Sequence, residues 1–219
     1  MNNFKRIIFI SLAILLMSFS SNADQAFFSF NYGQASHDMG TILRADGKAE
    51  STLKKDDEAE GYMASAGYLI LGNFGLEAMY YDLGSTSFKV TAKDVIKDDN
   101  NSYIVSTTGT ITNDISGYGL GLVGAGNAEF TSYLNMTFYA KVGAHAWDKS
   151  GSTSLLDNND AFASGFYNDG IGAYGALGTS LNFTDNIGVN LTYHTMGMSN
   201  DVSFGNSSSV ASAGIRLQF

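Results

Sequence analysis

Short segments in which apolar and polar residues alternate recur along most of this chain. A period of two is the mark of a strand with one apolar and one polar face. Eight such strands are predicted. The first, Ala26–Ala35, sets Phe28, Phe30 and Tyr32 against Ser29, Asn31 and Gly33. The second, Gly61–Leu71, carries Tyr62, Ala64, Ala66, Tyr68 and Ile70 on its apolar face, and a Gly72-Asn73 turn leads to the third, Phe74–Leu83. The fourth, Ile115–Gly124, opposes Tyr118, Leu120 and Leu122 to Gly117, Gly119 and Gly121. Ala125–Glu129 is predicted to turn into the fifth, Tyr133–Trp147, where Phe138, Ala140, Val142, Ala144 and Ala146 alternate with Tyr139, Lys141, Gly143, His145 and Trp147. The sixth is Gly170–Phe183. A Thr184-Asp185-Asn186 turn opens the seventh, Ile187–Met196, and the last strand ends the chain with Ala211, Ala213, Ile215, Leu217 and Phe219 on one face.

The connections alternate in length. Ser36–Glu60, Gly84–Asp114 and Asp148–Gly165 are long and polar, those between them are tight, and Gly197–Asn206 is of medium length. Parts of the second long connection, Ser87–Val90 and Tyr103–Ile111, themselves alternate and predict that its flanking strands run on as a hairpin. Long connections at one end and tight turns at the other are what an outer-membrane barrel shows. A soluble sandwich has no reason to sort its loops this way, or to finish on an exposed Phe219. The expected fold is therefore all-β: an eight-stranded antiparallel up-and-down transmembrane β-barrel, with its apolar face toward lipid.

Composition agrees with a hydrogen-bonded wall. The chain has no Pro and no Cys, 25 Gly, 15 Phe, 12 Tyr and a single Trp. Without Cys there is neither a disulfide nor a thiolate metal site. Lys5 and Arg6, the apolar run Ile7–Phe19 and the small residues Ser20–Ala23 read as a cleaved secretion signal over 1–23, leaving 24–219 as the barrel domain. Removing Lys5 and Arg6 moves the formal charge from −9 to −11, which argues against nucleic acid as a partner.

Certain pieces are similar to a known family. Gly72–Asp82 (GNFGLEAMYYD), Phe138–Ala144 (FYAKVGA), Gly178–Tyr193 (GTSLNFTDNIGVNLTY) and Gly214–Phe219 occur in the order and spacing of the opacity-protein/OmpA-like eight-stranded outer-membrane barrels. The resemblance implies a monomer in the outer membrane of a Gram-negative bacterium. It would be inserted by the barrel assembly machinery, helped by periplasmic chaperones. Ile215, Leu217 and Phe219 would be read as the assembly signal. No peptidoglycan-binding domain is expected after the eighth strand.

Charges are costly toward lipid and tolerated in a lumen. Glu77, Lys141 and Arg216 all fall on the inward parity, so they are expected to form an interior charge network, with Gly117, Gly119 and Gly121 leaving room for Glu77 to reach Lys141. This network reads either as a structural plug or as a gate whose pairing changes. His145 and His194 also point inward and are expected to be neutral hydrogen-bonding residues, whereas His37 falls in a loop and is expected to be solvated. No metal, cofactor or catalytic set is expected. A lipid A-modifying barrel enzyme would need an apolar acyl slot, and His194 and Ser199 lack the one-residue spacing of one such enzyme. The polar inward parity argues equally against a conduit for apolar solutes.

Phe28, Phe30, Tyr68, Leu76, Leu120, Val142, Leu181, Leu191, Ile215 and Phe219 are expected to face lipid. Tyr32, Tyr62, Tyr80, Tyr118 and Tyr193 form a candidate upper girdle, and Phe74, Phe183 and Phe219 a lower one. The functional reading is a structural or surface-interaction protein of the adhesion type. Its long loops would be extracellular, meeting lipopolysaccharide and a host or matrix surface, with both termini periplasmic. A narrow gated pore built on Glu77 and Lys141 is the alternative.

Overall fold

The structure, a computed structural model, describes residues 25–37, 41–43, 55–56, 58–70, 73–90, 95–98, 101–104, 109–131, 134–153, 166–198 and 207–219. The secretion signal predicted for 1–23 lies outside them. Eight long strands form the wall: β1 (Gln25–His37), β2 (Glu58–Ile70), β3 (Phe74–Val90), β4 (Gly109–Thr131), β5 (Leu134–Thr153), β6 (Phe166–Asn182), β7 (Ile187–Gly197) and β8 (Ser207–Gln218). Each pairs antiparallel with its sequence neighbours, and β8 returns to β1 through Phe27↔Gln218 to His37↔Ser208. The sheet thus closes on itself as an eight-stranded up-and-down barrel, which leaves no edge along the wall to be satisfied by lipid.

The alternation places its faces as read. Phe30, Tyr32, Leu76, Leu120, Phe138, Val142, Leu177, Leu191, Tyr193 and Ile215 are all at least half exposed, while Ser29, Asn31, Glu77, Lys141, Asn190, Thr192 and Arg216 are buried inside. Phe74 and Phe183 lie on the outside at the tight-turn end and Tyr32, Tyr62 and Tyr193 on the outside toward the other end. At the β6–β7 turn the Thr184 hydroxyl accepts from the backbone N–H groups of Asn186 and Ile187 at 3.2 and 3.0 Å. This side-chain turn holds the chain reversal without Pro or Gly.

Several boundaries differ from the reading above. Residues 125–129 do not turn: β4 runs unbroken to Thr131, because β5 continues the ladder from Gly124↔Ala140 to Glu129↔Asn135. A Gly- and Asn-rich stretch can look like a turn when a partner strand in fact supplies its hydrogen bonds. β3 and β4 do extend as a hairpin, to Val90↔Gly109, across a bulge between Asp82 and Ser85. There Gly84 has φ +71°, a left-handed conformation that L side chains avoid. β5 likewise continues into the third long connection, to Thr153. His37 is not solvated. It ends β1 at 3% exposure, with Nδ1 2.7 Å from the Ser208 hydroxyl on β8.

The lumen is filled by a recurring device in which a ring on one strand faces a glycine on the next. Phe27 faces Gly67, Tyr81 and Trp147 flank Gly117, Tyr139 faces Gly178, and Tyr174 faces Gly143. A Cβ added at Gly67 or Gly178 would lie 2.3 or 2.5 Å from the facing ring. An eight-stranded barrel encloses only enough space for side chains, so large rings fit where the opposite residue has none.

Two connections also meet beyond the wall. Thr41–Leu43, after β1, pairs antiparallel with Val95–Asp98, after β3, and the latter pairs with Asn101–Ile104, making a separate three-stranded sheet.

Candidate functional site

The polar residues of the lumen come from facing strands and meet in its tight-turn half. Glu77 on β3 pairs in register with Gly121 on β4, and Lys141 on β5 lies one strand further, opposite Val123. Lys141 Nζ donates to Glu77 Oε2 at 2.6 Å across the intervening strand, and both side chains are at most 4% exposed. The Ser65 hydroxyl donates to the same carboxylate oxygen at 3.2 Å and contacts the Ser29 hydroxyl at 2.7 Å. Such a pair attracts strongly where water is excluded, although desolvation offsets much of that gain.

The space above β4 goes to other residues than the reading assigned. A Cβ at Gly117 would meet the Tyr81 hydroxyl at 2.4 Å, one at Gly119 the Met79 methyl at 2.7 Å, and one at Gly121 the Tyr174 hydroxyl at 2.2 Å. The glycines therefore admit two phenols and a thioether rather than the ion pair alone.

Arg216 shares the lumen and lies within electrostatic reach of Glu77, but no hydrogen bond ties it to the pair. Its guanidinium carbon lies 4.0 Å from the centre of the Phe27 ring and 5.4 Å from that of Tyr139, while Lys141 Nζ sits 5.0 Å from the same Tyr139 ring. The Tyr139 hydroxyl is 2.6 Å from the Thr192 hydroxyl, and Asn190 donates to Asn31 Oδ1 at 2.7 Å. His194 is buried in the same lumen.

The long-connection half is built differently. Ala35, Met63, Met79, Tyr81, Leu83, Ile115, Trp147, Tyr174, Met196, Met198 and Val210 form one buried apolar cluster, so the lumen is not polar throughout, as its parity implied. His145 is set into this cluster. Its Nε2 donates to the Gly197 carbonyl at 2.9 Å, and its Nδ1 lies 2.6 Å from the Tyr81 hydroxyl. Because a carbonyl only accepts, the Nε2–H tautomer is required, and Tyr81 then donates to Nδ1. The methionines could have been found from the inward parity of 63, 79, 196 and 198. Their thioethers fill irregular gaps that polar residues would leave costly.

An outward acidic band also went unread. Glu58, Glu60, Asp82 and Asp114 follow the lipid-facing parity at the long-connection end and are not buried. The Tyr32 hydroxyl donates to Glu60, the Tyr62 hydroxyl to Asp82 at 3.4 Å, and the Ser85 hydroxyl to Asp114. Carboxylates cannot enter hydrocarbon cheaply, so this band marks where the lipid-covered wall stops. The signal was the alternation itself, carried two to four residues past the last apolar position.

Among the described residues no group of three or more His, Cys, Asp or Glu is placed to hold a metal ion. The assembly-signal residues Ile215 and Phe219 lie on the outer face, more than half exposed, and Leu217 between them is half-buried.

The OmpA-like transmembrane domain family matches residues 21–219. No curated protein matches the sequence. Three similar solved structures are the Ail protein of Yersinia pestis in complex with the heparin analogue sucrose octasulfate (13% identity, 90% of this chain and 99% of that one, TM-score 0.46), Neisserial surface protein A (16%, 92% and 100%, 0.46), and OprG of Pseudomonas aeruginosa (14%, 90% and 96%, 0.49). A closed wall with lipid-facing apolar residues, matched over residues 21–219 by one family, makes this chain an outer-membrane β-barrel belonging to the OmpA-like transmembrane domain family.

Proposed function

We propose that the protein is a structural scaffold whose function is exercised by its long connections at the cell surface, as a surface-interaction protein of the adhesion type. One observation carries this reading. The first and second long connections are tied to each other in a three-stranded sheet of their own, through Thr41↔Lys97 and Leu43↔Val95. Mere hydrophilic connections between barrel strands have no need of a folded platform, whereas a rigid scaffold presenting loops is the usual basis of recognition. The packed lumen supports the same view, since the inward rings and the Glu77–Lys141 pair leave an eight-stranded barrel little room for diffusion. In this proposal residues 1–23 are removed on export, the tight turns and both termini are periplasmic, and the acidic band lies at the outer leaflet. The work is binding rather than catalysis.

Trimming 41–54 or 91–108 in cells tests it. Attachment to host cells or matrix should fall while the barrel still shows its heat-dependent gel mobility. Unchanged attachment with both segments trimmed would refute the reading.

A narrow gated pore is the second reading, favoured by one detail. Glu77 Oε1 has no hydrogen-bond partner while Oε2 holds both Lys141 and Ser65, so the carboxylate has capacity for a second arrangement. Planar-bilayer conductance that changes in E77A and K141A would favour this reading, and a silent wild-type barrel would end it.

A further inference from the structure

We infer that the tight-turn half of the lumen binds a small monovalent anion, of chloride size, against the guanidinium of Arg216. The argument begins with Arg216 itself, which is 1% exposed. Its planar group lies over Phe27 and beside Tyr139. Ring faces attract a cation but offer its N–H groups no acceptor. Nε and Nη2 accordingly have no hydrogen-bond partner.

Charge accounting points the same way. Among the described residues, the ionised groups buried in this half of the lumen are Glu77, Lys141 and Arg216. The single carboxylate is engaged by Lys141 at 2.6 Å and by Ser65. One positive charge is left over, on a guanidinium set against the buried rings of Phe27 and Tyr139. Burying an unpaired ion costs several kcal/mol. A lysine can escape that cost by losing its proton, but an arginine in a protein cannot. Water alone would satisfy the two N–H groups and leave the charge. A halide satisfies both, and a monatomic anion asks no hydrogen bond of the surrounding rings.

The test uses the mature barrel refolded in detergent micelles, with chloride or bromide exchanged for gluconate at constant ionic strength. Chloride and bromide should raise the unfolding midpoint saturably, while gluconate, too bulky for the site, should not. Anomalous diffraction from bromide-grown crystals should place a peak within hydrogen-bond distance of Arg216 Nε or Nη2. R216Q should lose the halide dependence. Where R216Q does not fold, R216K should fold and bind halide about tenfold more weakly, because its ammonium lacks the guanidinium's paired donors. Equal midpoints in chloride and gluconate, halide dependence retained in R216Q, unchanged affinity in R216K, or ordered water alone beside Arg216 would each overturn the inference.

Discussion

Replacing Lys141 by Met tests whether the Glu77–Lys141 contact is a buried ion pair in energetic terms. Met keeps most of the side-chain stem and removes the charge. It leaves the Glu77 carboxylate, 1% exposed, with the Ser65 hydroxyl at 3.2 Å as its hydrogen-bond partner and with Arg216 as the remaining cation in that half of the lumen. Breaking one side of a buried pair typically costs about 3–5 kcal/mol, chiefly because the remaining ion is uncompensated. The cost here should fall toward the lower end of that range, because the Arg216 charge still acts on Glu77 without hydrogen-bonding to it. Removing both charges, in E77Q/K141M, leaves no buried carboxylate and the same single surplus charge on Arg216, and the glutamine can still accept from Ser65. The double variant should therefore lose no more than about half of what K141M loses. Urea unfolding from lipid vesicles measures this, followed through Trp147. It is the sole tryptophan of the chain and is 1% exposed in the folded barrel. The reasoning fails if K141M costs under about 1 kcal/mol, a value typical of an exposed pair. It fails equally if the double variant is as unstable as the single one.

Four other outcomes follow from the same structure. Gly178→Ala puts a Cβ 2.5 Å from the Tyr139 ring and should cost about 1–3 kcal/mol by overpacking. Gly126→Ala, where a Cβ meets nothing within 4 Å, should stay within about 0.5 kcal/mol in the same unfolding assay. His37→Ala should cost about 1–3 kcal/mol, since it empties a buried site and leaves the Ser208 hydroxyl, 2% exposed, only the weakly accepting Met198 sulfur at 3.7 Å; a shift under 0.5 kcal/mol, roughly the surface value, would contradict the buried contact. Orientation can be read by cysteine labelling, because the chain has no cysteine of its own. S51C should react with an impermeant maleimide on intact cells, and N186C only after the outer membrane is opened.

The alternation of side chains was enough to determine the wall. Strand parity depends only on the backbone's period of two, so Phe30, Leu76, Val142 and Ile215 outside, and Glu77, Lys141 and Arg216 inside, could be assigned without knowing any partner. Loop lengths then fixed the up-and-down order. Strand ends were less legible. Residues 125–129 carry turn-like composition, yet they are strand because β5 lies beside them, and a partner strand is not a property of the segment. His37 went the same way, buried by a serine 171 positions along the chain.

Parity gives direction but not depth, and contents of the lumen depend on depth. Closure of β8 onto β1 decided that Glu77 meets Lys141 while Arg216 lies on Phe27. Register decided that each inward ring faces a glycine. The stagger of the strands sorted the interior into a charged half and a methionine–aromatic half, although both kinds of residue share one parity. Local chemistry says which way a side chain points; only the closed barrel sets which other side chains wait at the same height.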